Sequence, residues 1–232
     1  MTAVNLTVTP GRIWVSADSA VAAATLADAE RMQGLCRSTN DPAVTEFADE
    51  PVEPRRADCF GRKIGMSSGK RLIVTGSGLS GPLRRLDLLA ASPAIAGLDE
   101  LHARAQSALQ EFSREQPNAA VGIAFIAGWS KLAGRCRAFA LCSDQAWTPQ
   151  ELPTGHLFLP RPHPSLQGYR KLYERYERPV GQDVAELHLS AGRLQAEGAA
   201  RGLYAARPCI AGELLLAQVD ETGVRERVLT VL

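Results

Sequence analysis

The sequence has few features of a metal-binding or disulfide-stabilised protein. It contains 5 cysteines, an odd number, and no two of them form a C-x-x-C pair. Its 4 histidines show no metal-ligand spacing such as H-E-x-x-H. We therefore expect reduced thiols, no disulfide framework, no bound metal and no cofactor.

Long hydrophobic runs and an excess of charge of one sign are also absent. No apolar stretch approaches the roughly 18 residues that a membrane span needs. The N-terminus lacks the basic region and apolar core of a secretory signal. With 26 basic and 25 acidic residues the net charge is +1, which does not favour nucleic-acid binding. We expect a cytoplasmic protein that binds neither nucleic acid nor membranes.

The hydrophobic content of 45% over 232 residues is enough for one sizeable core. No internal repeat and no linker divides the chain, so we predict a single domain over residues 1–232. Pro10-Gly11 separates two β-branched runs and predicts an N-terminal hairpin. Two strands, a helix pair, two or three strands, a second helix pair and a final hairpin follow in the predicted order. Helix pairs between hairpins indicate layers of helix outside antiparallel sheets, an α+β fold.

Residues 19–60 interrupt this order. An Ala-rich piece over residues 20–35 has the composition of a helix, and residues 37–58 are acidic, polar and rich in proline. Such a composition buries little apolar area, so we predict a mobile or poorly packed segment near the mouth of any cleft.

The stretch RLIVTGSGLSGPLRRL is glycine-rich at the end of a predicted strand. It is similar to a dinucleotide-binding fingerprint, which also needs a second strand ending in an acidic residue about 20 residues further on. Asp99 and Glu100 stand at that distance, but at the start of a predicted helix. A nucleotide-binding enzyme that uses the GSGLSG loop is therefore a minor alternative.

The predicted element order resembles the four-layer αββα sandwich of the N-terminal-nucleophile hydrolases. The resemblance is to proteasome β subunits and their bacterial relatives in particular, and four short features carry it. Thr2 follows Met1, and the motif VSADSA makes Asp18 the seventeenth residue counted from Thr2. RKIGM supplies Lys63 ahead of an isoleucine, and RLIVTGSGLSG supplies a strand with a glycine-rich turn.

This resemblance implies a catalytic role for each matching residue. Thr2, freed of Met1, would be the nucleophile, and its own α-amine would be the base. Asp18 would hold Lys63, whose positive charge would lower the pKa of the Thr2 hydroxyl. The Gly78 amide would bind the oxyanion, with Gly76 as the second choice for that role. The reaction would be hydrolysis of an amide bond in a peptide or protein substrate. The resemblance also implies a homo-oligomer and an unfoldase partner that would supply the substrate.

The sequence departs from the family pattern in three places. The segment after Asp18 is longer than in typical β subunits, and GHLFLPRP lacks the family's supporting serine. Residues 207–212 read RPCIAG, without the aspartate and serine that the family carries there. A catalytically inactive, oligomer-forming proteasome-like structural protein therefore stays open beside the threonine hydrolase.

Overall fold

A computed structural model of the chain describes residues 3–22, 47–176 and 183–232. Strand β1 (Val4–Val8) pairs antiparallel with β2 (Arg12–Asp18), and this is the predicted N-terminal hairpin. Met1 and Thr2 lie outside the described residues, so the predicted nucleophile is known only through its neighbour Ala3.

In the described residues, two five-stranded antiparallel sheets and one short ribbon are formed by β1, β2 and ten further strands. In chain order they are β3 (Ala20–Val21), β4 (Cys59–Phe60), β5 (Ile64–Ser67), β6 (Leu72–Gly78), β7 (Gly122–Ser130), β8 (Arg135–Cys142), β9 (Gln150–Glu151), β10 (Gly155–Leu159), β11 (Glu213–Asp220) and β12 (Gly223–Val231). The first sheet has the order β10-β1-β2-β11-β12, and the second has the order β5-β6-β7-β8-β9. Among the described residues, strands β3 and β4 pair with each other and form the ribbon.

The described residues contain two pairs of α-helices. They are α1 (Ser80–Ala91) with α2 (Leu98–Glu115), and α3 (Tyr169–Tyr176) with α4 (Val184–Ala200). Apolar residues at helical spacing define the buried faces, as in α2 with Leu98, Leu101, Ala105, Leu109 and Phe112. Helix α4 continues through Gly198, where the sequence predicts a weak point, and ends before Gly202, whose φ is +67°.

Three apolar clusters separate four layers. The central cluster fills the space between the sheets, with Leu6 and Val15 from the first sheet against Ile73 and Phe125 from the second. A second cluster lies between the second sheet and the α1–α2 pair, and a third between the first sheet and the α3–α4 pair. The fold is therefore the predicted four-layer αββα sandwich of two antiparallel sheets flanked by helix pairs.

The predicted insertion at residues 19–60 is described only at its two ends. Residues 23–46, which include most of the Ala-rich piece and the first ten residues of the polar loop, lie outside the described residues. The ribbon of β3 with β4 was not expected, because two-residue strands carry no periodic signal. At the far end, Ala48 donates a backbone hydrogen bond to Leu203 and Val52 donates one to Gly202, at 3.1 and 3.0 Å. Residues 47–52 therefore lie along the end of α4.

In the part of the chain that the structure describes, no helix is long and apolar enough to cross a lipid bilayer. Within the same residues, no group of three or more histidine, cysteine or acidic side chains is arranged to hold a metal ion.

Candidate active site

Asp18 is buried at the end of β2, beside the start of β1. The register of the hairpin pairs Val4 with Ala17 and so sets Ala3 opposite Asp18. Asp18 Oδ1 accepts a hydrogen bond from the Ala3 amide at 2.8 Å, and Oδ2 accepts one from the Ala20 amide at 3.0 Å. The carboxylate therefore fixes the backbone at the position that follows Thr2.

Lys63 lies against the same carboxylate. Its Nζ is 3.2 Å from Asp18 Oδ2, and it also donates to the carbonyl oxygen of Ala20. The Thr75 hydroxyl donates to the Lys63 carbonyl at 2.9 Å, which ties the backbone of Lys63 to β6. Burial lowers the pKa of Lys63, and the attraction of Asp18 opposes this change.

The glycine-rich turn lies next to Lys63. Strand β6 pairs with β7 as far as Gly78, which faces Gly122, but it pairs with β5 only as far as Thr75, which faces Ile64. Lys63 is the residue just before Ile64, so residues 76–78 continue along an edge that β5 no longer covers. The backbone of this edge therefore faces the same space as the Lys63 side chain.

Gly78 has no room for a side chain. Its φ is +125°, a conformation that L-residues rarely adopt, and a Cβ atom there would lie 2.6 Å from the Gly122 Cα. The close approach of β6 and β7 at this point thus requires glycine.

A cleft of about 1230 Å³ opens at this edge. Its walls are formed by β3, Lys63, residues 76–78, the first turns of α1 and the end of α2. The volume exceeds the usual range of small-molecule pockets, up to roughly 1,000 Å³.

Cys209 is a residue of this site that the sequence analysis did not single out. It lies in the segment where the resemblance calls for aspartate and serine, and it interacts electrostatically with Asp18 and Lys63. Burial, and then the charge of Asp18, raise the pKa of the Cys209 thiol. The same segment holds Asp18 directly, because the Ala211 amide donates to Oδ2 at 3.4 Å. Position relative to the family motif was the only sequence signal for Cys209.

The structure thus brings Asp18, Lys63 and Gly78 to one end of the sandwich, with Gly76 beside them. Thr2 lies outside the described residues, and the described neighbour Ala3 is hydrogen-bonded to Asp18.

The geometry does not favour a dinucleotide site at the glycine-rich turn. Asp99 lies in the first turn of α2 and accepts hydrogen bonds from the Ser130 hydroxyl at 2.6 Å and the Leu132 amide at 3.2 Å. Ser130 ends β7, whereas Gly78 pairs with Gly122 at the start of that strand. Asp99 is therefore at the opposite end of the sheet from the glycines.

Comparison with solved structures finds the same fold. The chain is similar to a mutant of Anbu from Hyphomicrobium sp. strain MC1, with a TM-score of 0.62 and 12% sequence identity, over 99% of this chain and 87% of that chain. Anbu is a bacterial proteasome-like protein of the N-terminal-nucleophile hydrolase fold. At this identity the likeness shows the fold alone. No protein-family model matches the chain, and no curated protein matches it significantly.

Proposed function

We propose that this chain is a proteasome-like N-terminal threonine hydrolase, a peptidase or amidohydrolase that acts once Met1 is removed. The observation that supports it is the buried Asp18–Lys63 ion pair, which lies beside Ala3 at the edge of a large cleft. The Ala3 amide is bonded to Asp18, and Thr2 directly precedes Ala3 in the chain. Because consecutive Cα atoms are about 3.8 Å apart, Thr2 is tethered close to the Asp18 carboxylate.

In the proposed reaction, the free α-amine of Thr2 accepts the proton of its own hydroxyl. An α-amine has a pKa of about 8, which makes it a workable base at neutral pH. The Thr2 oxygen attacks the amide carbon, and the positive charge of Lys63 favours the ionised oxygen. A backbone amide of residues 76–78, Gly78 in our assignment, donates to the oxyanion, an interaction typically worth about 3 kcal/mol.

The tetrahedral intermediate then collapses. The C–N bond breaks, the amine proton passes to the leaving nitrogen, and an ester to Thr2 remains. Water attacks this ester with the α-amine again as base, which releases the acid and restores Thr2. No metal or cofactor takes part in these steps.

The test combines intact mass with covalent labelling. We expect the purified protein to lack one methionine and to react once with a threonine-directed electrophile. Thr2→Ala should abolish the labelling without unfolding the protein, whereas Thr9→Ala, at the other end of β1, should leave it unchanged. Retained Met1, or labelling that survives Thr2→Ala, would rule out this mechanism.

A second candidate is a non-catalytic, oligomer-forming relative. Cys209 stands in the segment where the resemblance expects aspartate and serine, and this substitution favours a site without turnover. A folded protein that has lost Met1, forms an oligomer and resists labelling would support this candidate instead.

The resemblance also motivates two proposals about partners. The chain would act as a homo-oligomer, and an unfoldase would deliver protein substrates to the cleft. Neither nucleic acid nor membrane has a part in this function.

A further inference from the structure

A chain of buried polar side chains lies between helix α4 and the first sheet, and it begins at Asn5 and Ser16, two residues along β1 and β2 from Ala3 and Asp18. The other contacts between α4 and the first sheet are mostly apolar. Five residues of the polar chain are nevertheless fully buried there. The buried members are Asn5, Thr7, Ser16, His188 and Gln195, and the partly buried His156 extends the chain on β10.

Two histidines meet at one hydroxyl. Thr7 Oγ1 lies 2.9 Å from His188 Nε2 and 2.7 Å from His156 Nδ1. On its other side, His188 Nδ1 lies 2.9 Å from Ser16 Oγ. His188 therefore uses both ring nitrogens in hydrogen bonds, one to β1 and one to β2.

The chain of polar side chains continues through Asn5 to Gln195, in a later turn of α4. Asn5 Nδ2 donates to Ser16 Oγ at 3.2 Å, and Asn5 exchanges two hydrogen bonds with the Gln195 amide at 2.8 and 3.0 Å. Gln195 also donates to the Pro160 carbonyl at 2.6 Å. Helix α4 is thus fastened to β1 and β2, the strands that carry Ala3 and Asp18 at their ends.

This arrangement suits a neutral His188. A neutral imidazole donates with one nitrogen and accepts with the other, so the hydrogen bonds from Ser16 to His156 can all run in one direction. Thr7, Asn5 and Ser16, which face His188 from β1 and β2, are uncharged.

A second proton on His188 would add an uncompensated charge. Among the described residues, His156 on β10 is the titratable group whose charge lowers the pKa of His188, because it is repulsive when protonated. Burial is the main cause that lowers the pKa of His188, to about 3.

We propose that this polar chain is an acid-sensitive lock, in which proton uptake by His188 releases α4 from the first sheet and loosens β1 and β2. An exposed imidazole has a pKa of about 6.5, so an opening that exposes His188 takes up one proton below that pH. The stabilisation is complete above pH 6.5 and is lost as pH falls toward the folded-state pKa. Opening becomes about tenfold more favourable for each pH unit in this window. The lock does not depend on the hydrolase activity proposed above.

Hydrogen exchange of the full chain between pH 7 and pH 5 tests the lock, with rates corrected for intrinsic exchange and α2 as the internal reference. In the wild type, protection of α4 relative to α2 should fall about tenfold per pH unit below pH 6.5. His188→Gln should remove this pH dependence. His163→Gln is the control, because His163 bonds Ser165 and does not belong to this polar chain. This variant should keep the pH dependence of α4 protection.

A constant ratio of α4 to α2 protection in the wild type would overturn the proposal, as would an equal fall in His188→Gln. Because His188→Gln could fail to fold, an NMR titration of the wild-type imidazoles gives a second test. The His188 signal should stay neutral while α4 is protected and change together with the loss of that protection. Titration of His188 near pH 6.5 with α4 still protected would also overturn it.

Discussion

Lys63 Nζ lies 3.2 Å from Asp18 Oδ2, and the side chains of the two residues are 12% and 0% exposed. Asp18 also accepts backbone hydrogen bonds from Ala3, Ala20 and Ala211, so its position is fixed from three segments of the chain. A buried ion pair of this kind contributes little net stability when intact, but the loss of one partner leaves a charge without compensation. The pair therefore couples the stability of this end of the sandwich to the proposed chemistry.

Asp18→Asn should destabilise the protein and abolish labelling of Thr2. The change leaves the buried Lys63 cation without its partner, which typically costs about 3–5 kcal/mol. Urea unfolding measures the cost, and labelling is measured where the variant is still folded. Glu174→Gln removes the exposed ion pair with Arg170 and should cost at most about 1 kcal/mol. Equal costs for the two variants would contradict the burial argument.

Gly78→Ala should impair both packing and labelling. Its Cβ would meet the Gly122 Cα at 2.6 Å, in a backbone conformation with φ +125°. Gly155→Ala is the matched control, because Gly155 has φ +142° and nothing within 4 Å of a Cβ. We expect Gly78→Ala to cost about 1–3 kcal/mol more in unfolding free energy than Gly155→Ala. Only Gly78→Ala should lose labelling, because its backbone must shift to admit the Cβ atom, and full labelling of that variant would show that the site does not require glycine at this position.

Lys70→Met should weaken the end of helix α1. The Lys70 ammonium donates to the carbonyl oxygens of Ala90 and Ser92, each at 2.6 Å. It thus satisfies carbonyls that the helix leaves unpaired and complements the helix dipole, so its loss should cost about 1–2 kcal/mol. Lys171→Met, on the exposed face of α3, should change the unfolding free energy by no more than about 0.5 kcal/mol. A similar small effect for both lysines would refute the capping role.

The chain should form a homo-oligomer through the outer faces of its helices. Leu88 on α1 is a large apolar side chain that is 63% exposed, and it would contribute apolar contact area to such an interface. Light scattering should give a mass well above that of the 24.9 kDa monomer, and Leu88→Glu should lower it. Leu132→Glu is the control, because Leu132 is 88% exposed at the β7–β8 turn. This change should leave the measured mass unchanged. A monomer mass for the wild type at micromolar concentration would argue against assembly.

Local pattern was sufficient for most of the elements. The turn Pro10-Gly11 marked the first hairpin, and the apolar spacing from Leu98 to Phe112 marked the buried face of α2. The ribbon of Ala20–Val21 with Cys59–Phe60 had no such signal, because it depends on a contact between residues about forty positions apart. The same holds for Cys209, whose neighbours at the site come from β2 and from the residue before β5.

His188 shows most clearly what the local sequence pattern cannot predict. In the sequence, His188 is one of several polar residues on a helical pattern, best interpreted as a surface or helix-packing residue. Its burial and its contacts with Thr7 and Ser16 arise only when α4 packs on the first sheet.

The sequence by itself determined the order of strands and helices, the antiparallel hairpins and the residue types available for chemistry. This was possible because secondary structure follows from short-range periodicity and turn residues, and these signals lie within a few residues of one another in the sequence. Only the tertiary structure decided that Asp18 and Lys63 form a buried ion pair next to Ala3, and that the edge of β6 beyond Thr75 opens into a cleft. These contacts join residues far apart in the chain, and their energies depend on burial, which exists only once the four layers have packed.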